Sequence, residues 1–212
     1  MTDSDLPALK DALLEAILPD VLFDGWTGRT LERAAAQTRM APSQLPGILP
    51  GGVTELARWL DDWADRQMLA GLETADLTAL RTHQRLILGI RLRLDSLTPH
   101  REAVRRAIVL NTPPFGLLQA PRAIYRTVDA LWYCAGDTAT DFNFYTKRGL
   151  LAAVYSATVL YWLDDRSEGL VDTWDFLDRR VADILKIPKL TSTLKRQFRL
   201  GFAPFKILKT GV

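Results

Sequence analysis

The chain has 212 residues, of which 48% are hydrophobic, so it can bury a substantial core within one domain and a short appendage. Its formal net charge of +2 is close to zero and gives no global reason to expect a polyanionic partner. The single cysteine, Cys134, cannot form an internal disulfide, which is typical of an intracellular protein. The acidic start carries neither a secretory signal nor the Arg-rich composition of a transit peptide.

Apolar residues recur with helical spacing along almost the whole chain, and no stretch alternates long enough to predict a strand. We therefore expect an all-α protein. The predicted helices of the first half are Leu6–Phe23, Thr30–Thr38, a short piece at Pro42–Leu49, Val53–Leu69 and Ala75–Leu97. Those of the second half are Pro99–Leu110, Pro121–Ala135, Asp141–Leu163, Val171–Ile187 and Lys189 to about Lys209.

Two of these helix starts carry capping residues. Thr98 precedes Pro99, and Thr140 precedes Asp141, so both threonines are predicted N-caps. The longest uncharged run, residues 149–163, is shorter than the roughly 20 residues that span a bilayer, so no transmembrane helix is expected.

The N-terminal part, with a first helix, a Gly-aromatic turn, two short helices and a long one, resembles the start of a TetR-type regulator. Its third helix would read DNA, but the segment PSQLPGILPGG offers only Gln44 as a base-reading side chain and contains Pro46 and Pro50. We therefore expect a vestigial helix-turn-helix and no nucleic-acid partner. A TetR-type, ligand-responsive transcription regulator remains the alternative function, and a packing unit without any nucleic-acid role is the plain structural alternative.

Candidates for catalysis are weak. His83 and His100 lie far apart without neighbouring ligands, and Cys134 has no obvious base in the sequence. The acidic pairs at residues 61–62 and 164–165 are interpreted as a solvated face and a helix end. No glycine-rich phosphate loop is present, so we predict no catalytic residue, metal ligand or cofactor, and hence no enzyme.

The helix predicted at Asp141–Leu163 is apolar around most of its second half, which indicates burial on several sides and a central position. It also contains the small residues Ala152, Ala153, Ser156 and Ala157. Small side chains on such a helix either admit a close neighbour or leave a cavity, and the residues alone favour close packing.

The C-terminal segment after Asp183 contains no acid and many lysines and arginines. An apolar stripe recurs every three or four residues between these cations, which is typical of a helix lying at a membrane surface. A terminal helix docked on its own domain or on a partner subunit is the alternative. The residues expected at the membrane are Leu190, Leu194, Lys195, Phe198, Arg199, Phe202 and Phe205.

Between residues 129 and 181, the segments AGD, TDFN, YTKR, LAA and DTWDFLDRRV occur together and in order. This run resembles the ubiquinone (coenzyme Q) biosynthesis accessory family, the ninth member of the COQ series, whose members bind lipid and have a TetR-type fold. The resemblance implies a homodimeric, non-enzymatic lipid binder on a membrane. It also implies that the protein presents a lipid or isoprenoid quinone intermediate to the di-iron hydroxylase of the pathway.

The resemblance carries a partner-binding patch onto Asp129, Asp141, Phe144, Tyr145 and Arg148. The family often has Trp at the position of Phe144, so the indole donor is missing here. Four of these residues share a helix face by their spacing, and aromatic and charged side chains together are typical of interface hot spots. Helix capping by Asp141 and stacking of Arg148 on Phe144 are the local alternative.

The resemblance also favours the cavity over close packing. We expect its apolar wall at Leu151, Ala153, Tyr155, Ala157 and Val159. The predicted organisation is a helix-turn-helix-like part over residues 1–70, a lipid-binding and dimerisation core over 71–187, and a membrane-associating helix over 188–212. The predicted location is intracellular, on the cytoplasmic face of a bacterial inner membrane.

Overall fold

The computed structural model describes residues 5–111, 119–136 and 142–184. Within these ranges the chain is almost entirely helical and contains no strand, which confirms the all-α prediction. The helices are α1 (Leu6–Asp24), α2 (Gly28–Gln37), α3 (Leu45–Ile48), α4 (Gly52–Thr74), α5 (Thr82–Leu97), α6 (Arg101–Leu110), α7 (Gln119–Cys134) and α8 (Phe142–Asp164). Residues 171–184 form a further helix, α9.

The turn between α1 and α2 has the predicted Gly-aromatic form. Gly25 ends α1 with a φ of 73°, a left-handed value that favours glycine. Thr27 then caps α2, because its hydroxyl oxygen accepts a hydrogen bond from the Thr30 backbone N–H at 3.2 Å. The adjacent Trp26 is buried and donates its indole N–H to the carbonyl oxygen of Ala103 at 3.0 Å, which ties this turn to α6.

The segment predicted to be a poor recognition helix contains a 3-10 turn at Pro42–Gln44 followed by the four-residue helix α3. Ile48 and Leu49 at its end are buried, whereas Ser43 and Gln44 are exposed. A helix this short presents about one turn, far less than the helices that read a DNA groove.

The long helices differ from the predicted bounds at one junction. Helix α4 continues to Thr74 and α5 begins only at Thr82, where a helix from Ala75 was expected. The reason is turn chemistry: Asp76 Oδ1 accepts hydrogen bonds from both the backbone N–H and the hydroxyl of Thr78, which stabilises a turn in place of a helix.

The N-cap predicted at Thr98 is wrong. Thr98 begins a 3-10 turn, and its hydroxyl donates back to the carbonyl oxygen of Leu94 at 2.8 Å instead of capping the next helix, which starts at Arg101. The other predicted cap, Thr140, lies outside the described residues.

One contiguous hydrophobic core runs through the described helices, and the predicted boundary at residue 70 falls inside α4. Helix α8 packs on α6 and α7, and its Trp162 is fully buried. The central position predicted for α8 is nevertheless wrong on one side, because Leu160 is 61% exposed and Tyr161 is 39% exposed in this chain. Tyr161 stacks on Phe176 of α9.

Candidate functional site

A cavity of about 700 Å³ is lined by five helices, α4 to α8. Each helix contributes apolar side chains to the wall, because the helical stripes that build the core converge there. Examples are Leu60 of α4, Leu94 of α5, Val104 of α6, Ile124 of α7 and Val159 of α8. A space of this size and lining can accept an apolar molecule.

The wall is deeply buried at one part and open at another. Trp162 and Leu94 are fully buried. Leu160 and Ile108, which also line the cavity, are exposed large hydrophobic residues, and Arg122 beside them in the lining is exposed as well. The cavity therefore communicates with solvent at a rim formed by α6, α7 and α8.

An ion-pair cluster around the buried residues Arg93 and Asp65 contributes polar groups to the same wall. Arg93 of α5 is only 2% exposed, and its Nε donates to Asp65 Oδ1 of α4 at 2.8 Å. Its Nη2 donates to Asp61 Oδ1 at 3.1 Å. From α7, Arg126 Nε donates to Asp65 Oδ2 at 3.0 Å, and the Thr127 hydroxyl donates to Asp65 Oδ1 at 2.8 Å. One carboxylate thus joins three helices.

Tyr155 of α8 completes this wall. The Arg93 guanidinium lies over the Tyr155 ring, with 5.4 Å from Cζ to the ring centroid. Burial raises the pKa of the Tyr155 phenol above its ordinary value, so the hydroxyl keeps its proton. Burial alone would lower the pKa of Arg93, but the nearby carboxylates of Asp61 and Asp65 raise it, so the guanidinium stays charged.

The structure places two of the five residues predicted for the apolar wall, Tyr155 and Val159, in the lining of this cavity. Leu151 is fully buried but lies elsewhere in the core, Ala157 is half-buried outside the lining, and Ala153 is exposed. The reason is helical geometry: Ala153 and Ala157 are two residues from Tyr155, or about 200° around a helix of 3.6 residues per turn.

The described part of the predicted partner patch consists of an ion pair between a buried arginine and a partly exposed aspartate, and an exposed aromatic ring. Arg148 is buried, and its Nε donates to Asp129 Oδ1 at 2.7 Å, which joins α8 to α7. Tyr145 is 69% exposed on the first turn of α8. Asp141 and the side chain of Phe144 lie outside the described part of the molecule.

The interpretation of the acidic pair at residues 61–62 needs correction, whereas residues 164–165 do lie at a helix end, because α8 ends at Asp164. Asp61 lines the cavity and pairs with Arg93, so it does not belong to a merely solvated face. Asp165 is buried and accepts hydrogen bonds from Ser167 and Thr173. Burial alone would raise the pKa of Asp165, but these hydrogen bonds lower it to about 2.

The other candidates for chemistry have structural surroundings. The His100 ring meets Trp63 edge-on at 6.2 Å, and burial lowers its pKa. Cys134 is half-buried against the core, and burial raises the pKa of its thiol. Among the described residues, no group of three or more His, Cys, Asp or Glu side chains could hold a metal ion. The predicted membrane residues from Leu190 to Phe205 lie outside the described residues, and no described helix is long and apolar enough to cross a bilayer.

The sequence reasoning missed Arg93, Asp65 and Thr127. A signal was present: Arg93 follows Leu86 and Ile90 on the buried stripe of α5, and Asp65 lies on the buried stripe of α4. Opposite charges on the apolar faces of two consecutive helices indicate a buried pair, because an unpaired buried charge is very costly.

The chain is similar to known proteins over most of its length. Residues 117–188 match the family model described as COQ9. The chain is 30% identical over 198 residues to the human "Ubiquinone biosynthesis protein COQ9, mitochondrial", an alignment that covers 88% of this chain and 61% of that protein. It is 28% identical over 193 residues to the "Probable ubiquinone biosynthesis protein coq9, mitochondrial" of Dictyostelium discoideum, covering 88% and 63%.

The chain is a homologue of the COQ9 proteins. This confirms the family resemblance. The chain spans about three fifths of the length of the curated COQ9 relatives it matches. These relatives, and a third from Drosophila melanogaster that is 27% identical, are mitochondrial proteins, so the predicted location on a bacterial inner membrane is wrong.

A solved structure gives the same fold. The TetR transcriptional regulator from Nitrosomonas europaea ATCC 19718 superposes with a TM-score of 0.69 at 23% identity, covering 82% of this chain and 96% of that chain. At this identity the likeness concerns the fold alone, and it confirms the TetR-like helical arrangement that the N-terminal sequence predicts.

Proposed function

We propose that the chain is a non-enzymatic, lipid-binding accessory protein of ubiquinone biosynthesis. It holds an isoprenoid quinone intermediate, or a related lipid, in the cavity between α4 and α8 and presents it at a membrane surface to the di-iron hydroxylase of the pathway. The observation that carries this proposal is the cavity of about 700 Å³ in a homologue of the COQ9 proteins.

The size and chemistry of the cavity support a lipid ligand. Its volume lies within the roughly 300–1,000 Å³ typical of small-molecule sites. The wall is mostly apolar, so an isoprenoid chain would gain free energy by leaving water there. The open rim at Ile108 and Leu160 would let a long chain extend out of the fold.

Two surfaces suit the delivery step. Tyr145 is a large exposed aromatic residue one helical turn from Arg148, which is buried and paired with Asp129, so it can contact a partner from a rigid support. The basic, apolar-striped segment that includes Phe198 and Phe202 has the composition of a membrane-surface helix. Exposed apolar side chains on α8 are suited to the interface of the proposed homodimer. Light scattering would measure the molecular mass and so test the homodimer.

Lipid extraction tests the ligand. Mass spectrometry of organic extracts from the purified full chain is expected to show a co-purifying isoprenoid quinone or related lipid. Val159→Trp should reduce the amount strongly, because Val159 lines the cavity. Ala153→Trp is the matched control on the same helix, and it should retain the lipid because Ala153 is exposed outside the lining. Equal retention by both variants, or no lipid in the wild-type extract, contradicts the proposal.

Vesicle sedimentation tests the membrane role. Removing the chain after Ile187 should abolish sedimentation with anionic vesicles. Phe198→Ser with Phe202→Ser should weaken binding at every salt concentration, whereas Lys195→Glu with Arg199→Glu should weaken it mainly at low salt, because charge attraction is screened over about 8 Å at physiological salt. Undiminished sedimentation of the truncated chain would contradict the membrane role and favour a packing role for this segment. Salt-sensitive binding to promoter DNA would favour a transcription regulator instead.

A further inference from the structure

The cavity has one chemically distinct region. Arg93 and Tyr155 both line it, and they are only 2% and 5% exposed, in a wall that is otherwise mostly apolar. Keeping a guanidinium beside an apolar space is costly unless its hydrogen bonds are satisfied. A donor of Arg93 or Tyr155 that lacks an acceptor in the protein therefore indicates what kind of group a ligand could place there.

Two donor atoms of cavity-lining residues have no protein partner among the described residues. The Nε and Nη2 atoms of Arg93 donate to Asp65 and Asp61, but Arg93 Nη1 has no hydrogen bond to any described residue. The Tyr155 hydroxyl likewise has none within residues 5–111, 119–136 and 142–184. Neither atom is among the fully inaccessible, unpartnered polar atoms of the described chain, so each keeps some accessible surface.

The charges around these donors favour an uncharged acceptor. The Arg93 and Arg126 guanidinium groups are already balanced by the Asp61 and Asp65 carboxylates within hydrogen-bond distance. Asp62, 3.1 Å from Arg126, adds a further negative charge. An anionic ligand would therefore meet no uncompensated positive charge at Arg93 and Arg126, whereas a carbonyl oxygen with two lone pairs can accept from both donors. Arg58 and Arg122 also line the cavity, and binding of a decyl phosphate probe tests whether they attract an anion instead.

We infer that Arg93 Nη1 and the Tyr155 hydroxyl form a head-group subsite that binds an uncharged ring carbonyl, such as that of a quinone. The inference rests on the proposed function and adds the orientation of the ligand. The tail then follows α8 past Val159 to the open rim at Leu160, about 7.5 Å along the helix axis from Tyr155. Because burial keeps the phenol protonated, Tyr155 can donate over the whole physiological pH range.

The decisive variant removes a single hydroxyl. Tyr155→Phe keeps the ring under the Arg93 guanidinium, so the wall should stay intact. Tyr161→Phe is the matched control, since Tyr161 lies on the same helix outside the cavity lining. Arg93→Lys gives a second test, because it keeps the positive charge beside Asp65 but loses the guanidinium fork that carries Nη1.

Equilibrium dialysis of the full chain, stripped of lipid, would measure the affinities of three probes with the same ten-carbon chain. These are a decyl-substituted dimethoxy-methyl-benzoquinone, decylbenzene and decyl phosphate. The wild type should bind the quinone more tightly than the other two. Tyr155→Phe and Arg93→Lys should each weaken quinone binding about three- to tenfold, the range for one lost hydrogen bond, and leave decylbenzene binding unchanged. Tyr161→Phe should change neither.

The outcomes separate the inference from the proposed function. If Val159→Trp blocks all three probes but Tyr155→Phe leaves quinone affinity unchanged, the cavity is the lipid site and the subsite is wrong. If the protein binds decyl phosphate more tightly than the quinone, the inference that the subsite binds an uncharged acceptor is wrong. If no probe binds the wild type, both the subsite and the cavity-based function fail. Selective loss of quinone binding in Tyr155→Phe and Arg93→Lys supports the subsite.

Discussion

Replacing Asp65 by Ala removes the carboxylate that joins α4, α5 and α7. Asp65 is 6% exposed, and the variant loses its hydrogen bonds with Arg93, Arg126 and Thr127 together. Removing one partner of a buried ion pair typically costs about 3–5 kcal/mol, because the other charge remains buried. We expect the lower end of this range, since Asp61 still accepts from Arg93 at 3.1 Å.

A loss of about 3 kcal/mol corresponds to a fall of about 6–12 °C in melting temperature for a domain of this size. Thermal unfolding followed by circular dichroism, with urea titration for the free energy of unfolding, would measure it. Asp62→Ala is the matched control from the neighbouring position, and its partly exposed ion pairs with Arg66 and Arg126 should contribute less than about 1 kcal/mol. Equal destabilisation by the two variants would refute the assignment of Asp65 as the buried junction.

Three further predictions follow from the same structure. Gly89→Ala should destabilise the fold by about 1–3 kcal/mol because its added Cβ would overlap Leu131, whereas Gly149→Ala, with open space around it, should be neutral or stabilising in the same urea titration. Because the pKa of Asp165 is lowered to about 2 from its ordinary 3.8, its contribution to stability is complete above about pH 4 and is lost as the pH falls towards 2. The stability difference between the wild type and Asp165→Asn should therefore shrink over that window, and a constant difference contradicts the assignment. Tyr145→Ala should weaken capture of the di-iron hydroxylase with an unchanged melting temperature, because the ring is 69% exposed; a lower melting temperature with unchanged capture indicates a packing role.

Helical periodicity predicted the helices because the apolar stripes that it detects are the ones that form the core. The predicted helix ends were wrong where side chains form hydrogen bonds that compete with the helical backbone, as at Asp76 and Thr98. These residues offer local hydrogen bonds that a pattern of apolar positions does not record.

The cavity wall was only partly predictable from the sequence. Small residues suggested a space next to α8, but they do not say on which side of the helix it lies. The structure places the space on the side of Tyr155 and Val159, whereas Ala153 is exposed. That choice depends on how α4, α5, α6 and α7 pack around α8, which is long-range information absent from the local pattern.

The polar wall could not be predicted by reading each helix alone. Asp61 and Asp62 are adjacent acids on α4 and fit a solvated face, until Arg93 of α5 is placed against Asp61. The role of Asp61 depends on a contact between residues 32 positions apart.

Photochemical cross-linking tests most directly the central claim that the cavity binds the lipid. The full chain would be irradiated with an isoprenoid quinone analogue that carries a diazirine on its tail, and the labelled peptides would be identified by mass spectrometry. We predict labels on α8 near Val159 and Leu160 and on the facing parts of α6 and α7, and their loss in Val159→Trp but not in Ala153→Trp. Labels confined to helix surfaces outside the cavity, or equally strong in both variants, would contradict the account.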